Sequence, residues 1–521
     1  MPYINIKPVH LDGLNCFEDP VFTFVAHYTK EYPLTFSEVF GFEYPTIDTE
    51  LTGLLGDRIG TSKDSIMDLI EKYCGIGINV VVAKNEYEIF HAIREQLARG
   101  IPTPISVDYY WLPWMDAYQK RSVYHYCLAT GIEESNDIIC LDPYRDPEIH
   151  YLPYADFVNC FNRYVNFNIK QLTETIDYQQ ILAESVRRAS DKYHFKKIKC
   201  FASDFTSQLN PDKEFENFNI SAWEVPLIRN LEYITGERYL YSCFIKYIEE
   251  KTKNNSLLTV INELMLIRSK WETVRSILIK GYFKGYTEET TEKAFAKFME
   301  IADMEEKVLL HLNDVVSGAC NMNVKCEEMK EVTGKAALNY VHIDLRDYFN
   351  GVAFHSSISK DCLADFTGLG VYMLSENVPS GQVISVESMS FQFPYISDNT
   401  YDNILCKGQT IKVPVGSYKY ITFLAAAEWG SYIENIKLNF SNSETSDTQI
   451  NVSDFFMDPF FDECVAWSGK VKIVEKNRDR AFDTNINFFA VSHSINKQNT
   501  LESIILPYCP NIHIFAITLC S

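Results

Sequence analysis

The sequence predicts an α+β multidomain protein, with a mixed α+β domain over residues 1–168, a helical domain over 169–335 and an all-β sandwich of jelly-roll type over 336–521. Three observations carry this reading. A chain of 521 residues is too long for one hydrophobic core, because domains run to roughly 100–200 residues. The hydrophobic period changes twice along the chain, first to a helical spacing and then to a strand-like one. The composition, 46% hydrophobic and 23% charged, is that of a folded globular protein rather than a disordered or membrane-embedded one.

In the first region, Val21, Phe22, Phe24 and Val25 predict a helix after Cys16, with Pro20 tolerated in its first turn. A second helix is expected over 62–73, an apolar strand over 77–83 and a third helix over 86–99. Pro102 and Pro104 then introduce a strand over 105–110. Segments 124–132 and 138–141 read as two further strands joined by the polar turn 133–137. From 177 to 316 the apolar residues recur at helical intervals, as in Leu257, Ile261, Leu264 and Ile267. The polar stretch 318–334 reads as a linker. Beyond it, strands are expected over 385–393, 410–413, 421–426 and 433–440, separated by turn residues.

Lys and Arg total 48 against 70 Asp and Glu, a formal charge of −22. Such a surface repels phosphate backbones and anionic headgroups, so neither nucleic acid nor a membrane surface is an expected partner. The first twenty residues lack the apolar stretch of a secretory signal, and no apolar run approaches the ~18 residues needed to span a bilayer. Fourteen cysteines without a CxxC pair fit free thiols in a reducing cytoplasm, with no structural metal.

A cysteine nucleophile needs a base, a group that orients the base, and preferably a helix N-terminus beside the sulfur. Cys16 lies just before the first helix, where the dipole favours an anion. His125 heads the expected strand 124–132, and Asp142 follows the next strand in Leu141-Asp142-Pro143. Neighbouring antiparallel strands can bring those two side chains together.

These residues resemble the N-terminal domain family of butirosin biosynthesis protein H, a papain-like fold related to the C39 cysteine peptidases. The resemblance spans about residues 8–165 and rests on Asn15-Cys16, on Tyr32-Pro33-Leu34-Thr35-Phe36-Ser37-Glu38 with Gly41-Phe42, on Val107-Asp108-Tyr109-Tyr110-Trp111-Leu112-Pro113, and on His125 with Asp142-Pro143. It implies acyl transfer from a carrier-protein thioester to a small-molecule amine through an acyl-cysteine, in assembly of a peptide-like or aminoglycoside natural product. Cys16 would be the nucleophile, His125 the acid and base, and Asp142 the residue that orients the imidazole. The Cys16 backbone N–H would contribute to the oxyanion hole, with His10 or Asn15 as the second donor. A papain-type site usually has glutamine at the position of His10.

No cofactor is expected to be bound directly; the phosphopantetheine arm of an acyl or peptidyl carrier protein would bring the acyl group. Asp108, Tyr109, Tyr110, Trp111 and Trp114 are candidates for lining a substrate pocket. Because carrier proteins are usually acidic, a local basic rim is needed, and Lys120-Arg121 or Lys196, Lys197 and Lys199 could supply it. A homodimer is left open. The third region resembles the β-sandwich modules attached to glycosidases, through Phe391-Gln392-Phe393-Pro394, Gly408-Gln409-Thr410-Ile411 and Ala425-Ala426-Ala427-Glu428-Trp429. This implies a sugar-binding platform, with Trp429 one contact, or a purely structural role. Two alternatives stand beside acyl transfer: a hydrolase with the same triad, and a non-enzymatic scaffold in which Cys16 is inert.

Overall fold

The computed structural model describes residues 3–45, 53–172, 175–217, 224–318, 339–461, 463–495 and 500–521. The expected linker over 318–334 lies outside the described residues except for Gly318. The chain divides into two compact units, one of Met1–Phe201, Glu232–Leu264 and Ala302–Val324, the other of Ala202–Leu231, Met265–Ile301 and Lys325–Ser521. Segments of the helical stretch belong to each.

In the first unit, α1 (Glu18–Tyr28) is buried from Glu18 to Ala26. Phe24 on it meets Phe167 at a ring distance of 4.5 Å. The next helix, α2 (Ile66–Cys74), begins later than its spacing predicts, after a 3-10 turn over Lys63–Ser65. The Ser62 amide there donates to the Glu237 carboxylate at 2.6 Å. Gly75, with φ +69°, ends α2 in the left-handed conformation that glycine adopts without strain.

The strand β1 (Ile76–Val82) leads to α3 (Glu86–Ala98), whose N-cap Asn85 accepts from the Glu88 amide. There follow β2 (Thr103–Asp108), β3 (Tyr124–Ile132), β4 (Ile138–Leu141), β5 (Ile149–Leu152), α4 (Tyr154–Cys160) and β6 (Arg163–Ile169). They form a six-stranded antiparallel sheet in the order β1-β6-β2-β3-β4-β5. Ile89, Ile93 and Leu97 of α3 pack with Ile105, Val107, Cys127, Ala129, Ile138 and Cys140 of the sheet. The strands 124–132 and 138–141 are thus where the sequence placed them, whereas the short β5, α4 and β6 show no distinct period.

The helices that follow are α5 (Tyr178–Asp191), α6 (His194–Gln208), the short α7 (Pro211–Glu214), α8 (Pro226–Thr252), α9 (Ser256–Lys284) and α10 (Glu288–Ser317). Within the first unit, α8 runs against the loop that precedes Cys16. A Cβ on Gly236 of α8 would stand 2.2 Å from the Gly13 Cα, and one on Gly13, whose φ is +90°, would stand 2.6 Å from the Gly236 carbonyl carbon. Only paired glycines allow this approach. Gly236→Ala should therefore destabilise the first unit by roughly 1–3 kcal/mol through overpacking, despite alanine's better helix propensity. A urea-denaturation midpoint equal to or above that of the wild type would refute this.

The second unit holds an eight-stranded sheet. Its main path is β12 (Ile404–Lys407), β20 (Tyr508–Cys520), β14 (Tyr420–Ala427), β18 (Arg480–Ser494), β17 (Cys464–Glu475), β9 (Val371–Leu374) and β8 (Phe354–His355), with β7 (Tyr340–His342) paired to β20. A four-stranded sheet runs β13 (Thr410–Gly416), β19 (Leu501–Ile505), β15 (Tyr432–Phe440) and β16 (Thr445–Val452).

The larger sheet is covered on both faces. Ile421, Phe423, Ala425 and Ala427 of β14 point into one core with Ile436, Leu438 and Ile504, whereas Leu424 and Ala426 join Phe391, Phe488 and Phe515 in another. That explains why β14 is an unbroken apolar run instead of an alternating one. The segment expected as one strand over 385–393 is a hairpin, β10 (Val383–Val386) and β11 (Met389–Gln392). The turn between them places Glu387 at φ +50°, and a reversal of that kind leaves no mark on strand periodicity.

Buried ion pairs also occur in this unit. The Lys280 ammonium meets Glu428, and that of Lys270 meets Glu434 and, at 3.3 Å, Glu300. Burial pushes Glu428 up to about 8 against the pull of Lys280.

Candidate active site

The sequence around Cys16 builds its own helix start. Asn15 accepts, through Oδ1, from the Phe17 amide at 2.9 Å and the Glu18 amide at 3.0 Å, and the Glu18 carboxylate accepts from the Asn15 amide at 2.8 Å. The Asn15 carbonyl accepts from the Asp19 amide at 3.0 Å, so a helical turn already begins at Asn15. This is a reciprocal capping box with asparagine as the cap. Cys16 consequently sits in the first helical turn, where the helix dipole favours negative charge.

Lys63 fixes the approach to that turn. Its ammonium donates to the Gly13 carbonyl at 2.6 Å and to the Glu18 carboxylate at 2.7 Å.

His125 and Asp142 come together at the end of β3 and β4. Both are buried, and the imidazole Nε2–H donates to Asp142 Oδ1 at 2.8 Å. The second carboxylate oxygen, Oδ2, accepts from the Trp114 indole N–H at 3.1 Å. Trp114 in turn stacks on His150, with ring centroids 4.7 Å apart.

With Nε2 committed to Asp142, the remaining ring nitrogen, Nδ1, is buried and has no hydrogen-bond partner meeting normal geometry among the described residues. Burial alone would depress the imidazole. The hydrogen bond with Asp142 and the neighbouring Cys16 sulfur outweigh it, so His125 is pushed up to about 9. The Tyr109 ring lies 4.7 Å from the imidazole and the Tyr144 ring 6.2 Å from it. Burial, followed by Glu232 and Cys16, pushes the Tyr144 phenol up to about 12.

Asn15 is committed as the helix cap through its side-chain oxygen. His10 gives Nδ1 to Asp19 Oδ2 at 2.6 Å, and its ring meets Tyr144 edge-on at 5.9 Å. Among the residues proposed for a pocket, Tyr109 and Trp114 touch the His125–Asp142 pair, the latter as a donor to the carboxylate. Asp108 instead holds its own turn, accepting from the Tyr110 amide at 3.0 Å, from the Val123 amide at 3.1 Å and from the Ser122 hydroxyl. Tyr110 and Trp111 pack edge-on against each other at 5.1 Å.

Of the basic residues, Lys197 pairs with Glu43 and Lys199 with Asp303, while Lys196 lies over the Tyr193 ring. The charge of Lys197 and Lys199 is therefore largely offset locally. Lys120 donates to the Asp116 carbonyl, and Arg121 is exposed. Among the described residues, no three or more His, Cys, Asp or Glu side chains are gathered as a metal site, and no helix is long and apolar enough to cross a membrane.

Sequence reasoning missed Asp19, Tyr144 and Lys63. Asp19 has a readable cue, as an acidic residue one helical turn beyond the cysteine. Tyr144 and Lys63 have none, because only folding sets Tyr144 beside His125 and Lys63 against Gly13 and Glu18.

Residues 339–521 match the family model of the AziU2-like beta-sandwich domain, the region in which the sequence predicts a sandwich. No curated protein matches the chain. In this domain Trp429 follows β14 and is half-exposed, with φ +59°.

Proposed function

We propose that the region up to β6 is a papain-like catalytic domain, and that the protein is a cysteine-dependent acyltransferase. In this reading it moves an acyl, aminoacyl or peptidyl group from a carrier-protein thioester, through acyl-Cys16, to an amine. The observation that supports it best is the buried His125–Asp142 pair, whose open Nδ1 serves a cysteine in the first turn of a capped helix.

In the resting site, His125 Nδ1 takes the Cys16 proton, and Asp142 holds Nε2–H so that the ring keeps this orientation. The thiolate attacks the thioester carbonyl. The departing pantetheine sulfur takes the proton from His125, leaving acyl-Cys16 and a neutral imidazole. Exchange between two thioesters is nearly balanced, whereas attack by an amine is downhill and completes transfer. The Cys16 backbone N–H supplies one oxyanion donor at the free end of the helix. The AziU2-like domain supports no particular ligand here and enters this reading as an accessory domain.

Intact-protein mass spectrometry tests the proposal. Wild-type protein and Cys16→Ser are mixed with acyl-pantetheine thioesters, with and without amines. We expect a mass gain confined to the wild type that an amine discharges faster than water does. Equal discharge by water would turn the reading toward a hydrolase, and absence of labelling would refute a Cys16 acyl-enzyme.

The raised His125 also sets a pH limb. Acylation needs the imidazolium to protonate the leaving sulfur, so its rate should fall as pH rises through about 9. A rate that keeps climbing beyond that pH would contradict the assigned proton donor.

A further inference from the structure

Acyl transfer to an amine has a proton balance that one histidine does not close. After acylation His125 is neutral and has room for a single proton. The attacking nitrogen releases that proton when the amide forms, and it restores the imidazolium as the Cys16 thiolate leaves. An aliphatic amine, however, arrives near neutral pH as an ammonium ion, with a pKa near that of lysine at about 10.4. Its extra proton has to be removed before the nitrogen has a lone pair.

The first unit contains a second histidine–carboxylate pair beside the same cysteine. Asp19 lies three residues after Cys16 in the helical turn that begins at Asn15, so the two side chains share a helix face. Asp19 is fully buried, and its Oδ2 holds His10 Nδ1 at 2.6 Å. That contact places the ring hydrogen on Nδ1 and leaves Nε2 as an acceptor. His10 is half-exposed, with 52% of its side chain accessible, which gives a proton a way out to water. Tyr144 stands between the two imidazoles, 5.9 Å from His10 and 6.2 Å from His125. Neither capping nor core packing explains a half-exposed imidazole held by a fully buried carboxylate.

We propose that His10, oriented by Asp19, is a second base of the site and removes the ammonium proton of the amine acceptor. This rests on the acyl-transfer reading above. The proton passes from R–NH3+ to His10 Nε2 and then to solvent. The free amine attacks the acyl carbon, its second proton goes to His125, and the Cys16 sulfur leaves, so that amide and the starting site are the products.

The charged surroundings suit a base. The hydrogen bond to Asp19, opposed by burial and aided by Asp19 and Asp12, raises His10 above an ordinary imidazole. Burial raises Asp19, which His10 offsets and Glu18 reinforces, and Glu18 itself is paired with Lys63. The Tyr144 phenol, itself influenced by Glu232, also packs against the His10 ring.

The test compares acyl-Cys16 discharge by a primary alkylamine and by hydroxylamine, which is uncharged at neutral pH, in wild type, His10→Gln and Asp19→Asn. In the wild type, alkylamine discharge should level off above the pKa of His10. In His10→Gln it should keep rising about tenfold per pH unit toward the amine's own pKa of about 10.4. The alkylamine-to-hydroxylamine ratio near pH 7 should drop by about a hundredfold, a general-base effect, and Asp19→Asn should lower it less.

An unchanged ratio, or equal slowing of both nucleophiles as expected of an oxyanion donor, would overturn the second-base role while leaving acyl transfer intact. Failure of the wild type to form acyl-Cys16 at all would overturn both. Circular dichroism checks folding, and if His10→Gln does not fold, the Asp19→Asn ratio decides.

Discussion

Asp142→Asn is expected to slow acylation of Cys16 by about 10³- to 10⁴-fold, the scale seen when a triad carboxylate becomes an amide. The reason lies in the two partners of the carboxylate. Oδ1 accepts from His125 Nε2–H, and Oδ2 accepts from the Trp114 indole. An asparagine has one oxygen, and Trp114 can only donate. With that oxygen facing Trp114, the amide NH2 faces Nε2, which must then become an acceptor, so the hydrogen moves to Nδ1. An imidazole in that tautomer cannot take the Cys16 proton.

The measurement is single-turnover acylation followed by intact mass. Trp114→Phe should show a smaller loss and a partial rescue of Asp142→Asn, because the amide oxygen is then free to accept from His125. A loss below about tenfold in Asp142→Asn would remove Asp142 from the mechanism. The same carboxylate raises His125, so the alkaline limb near 9 should move to lower pH in this variant. The shift also has a stability consequence. His125 is raised from 6.5 to about 9 on folding, so the stabilisation it contributes is complete below pH 6.5 and lost as pH rises through about 9.

The second large effect is on stability. Arg238→Met should destabilise the first unit by about 3–5 kcal/mol, the usual range for breaking a buried ion pair. Arg238 on α8 and Glu305 on α10 are both fully buried. The guanidinium meets the carboxylate through Nε and Nη2, each at 2.8 Å, and Nη1 donates to the Gly41 carbonyl at 2.7 Å. Methionine keeps much of the volume but leaves a buried carboxylate beside His194 and a carbonyl that loses this donor. The double variant Arg238→Met/Glu305→Met should recover part of the loss, since Glu305 then leaves no unpaired charge and only Glu237, 3.6 Å from the guanidinium, still loses that partner. Urea unfolding of the three variants measures this, and a single-variant loss under 1 kcal/mol would refute it. Because Gly236 and Glu237 on the same helix meet Gly13 and Ser62, loosening α8 should also slow acylation.

Much of this protein could be read before folding. The sequence determined the helix that follows Cys16, because Asn15 and Glu18 form a local capping box and Val21 to Val25 are apolar. It determined strands β3 and β4, and with them the candidacy of His125 and Asp142, because two apolar segments around the polar turn 133–137 and the Asp-Pro turn are short-range signals. It determined that the last third is a β-sandwich domain, for the same reason.

Tertiary structure alone decided what those residues meet. The packing of Trp114 on His150 aims its indole at Asp142, so a residue readable only as an aromatic becomes a hydrogen-bond donor to the pair. Gly13 and Gly236 are more than 200 residues apart, and their approach depends on a helix no local pattern could place. The hairpin at Glu387 depends on a positive φ that strand periodicity cannot register. The His10–Asp19 pair was half legible, since His10 stands six residues before the cysteine. Its partner was fixed only when α1 became buried and left the Asp19 carboxylate no water to turn to. Short-range signals set local shape because they act through neighbouring backbone. Ion pairs and proton relays join groups distant in the chain, and only the closed fold brings them within reach.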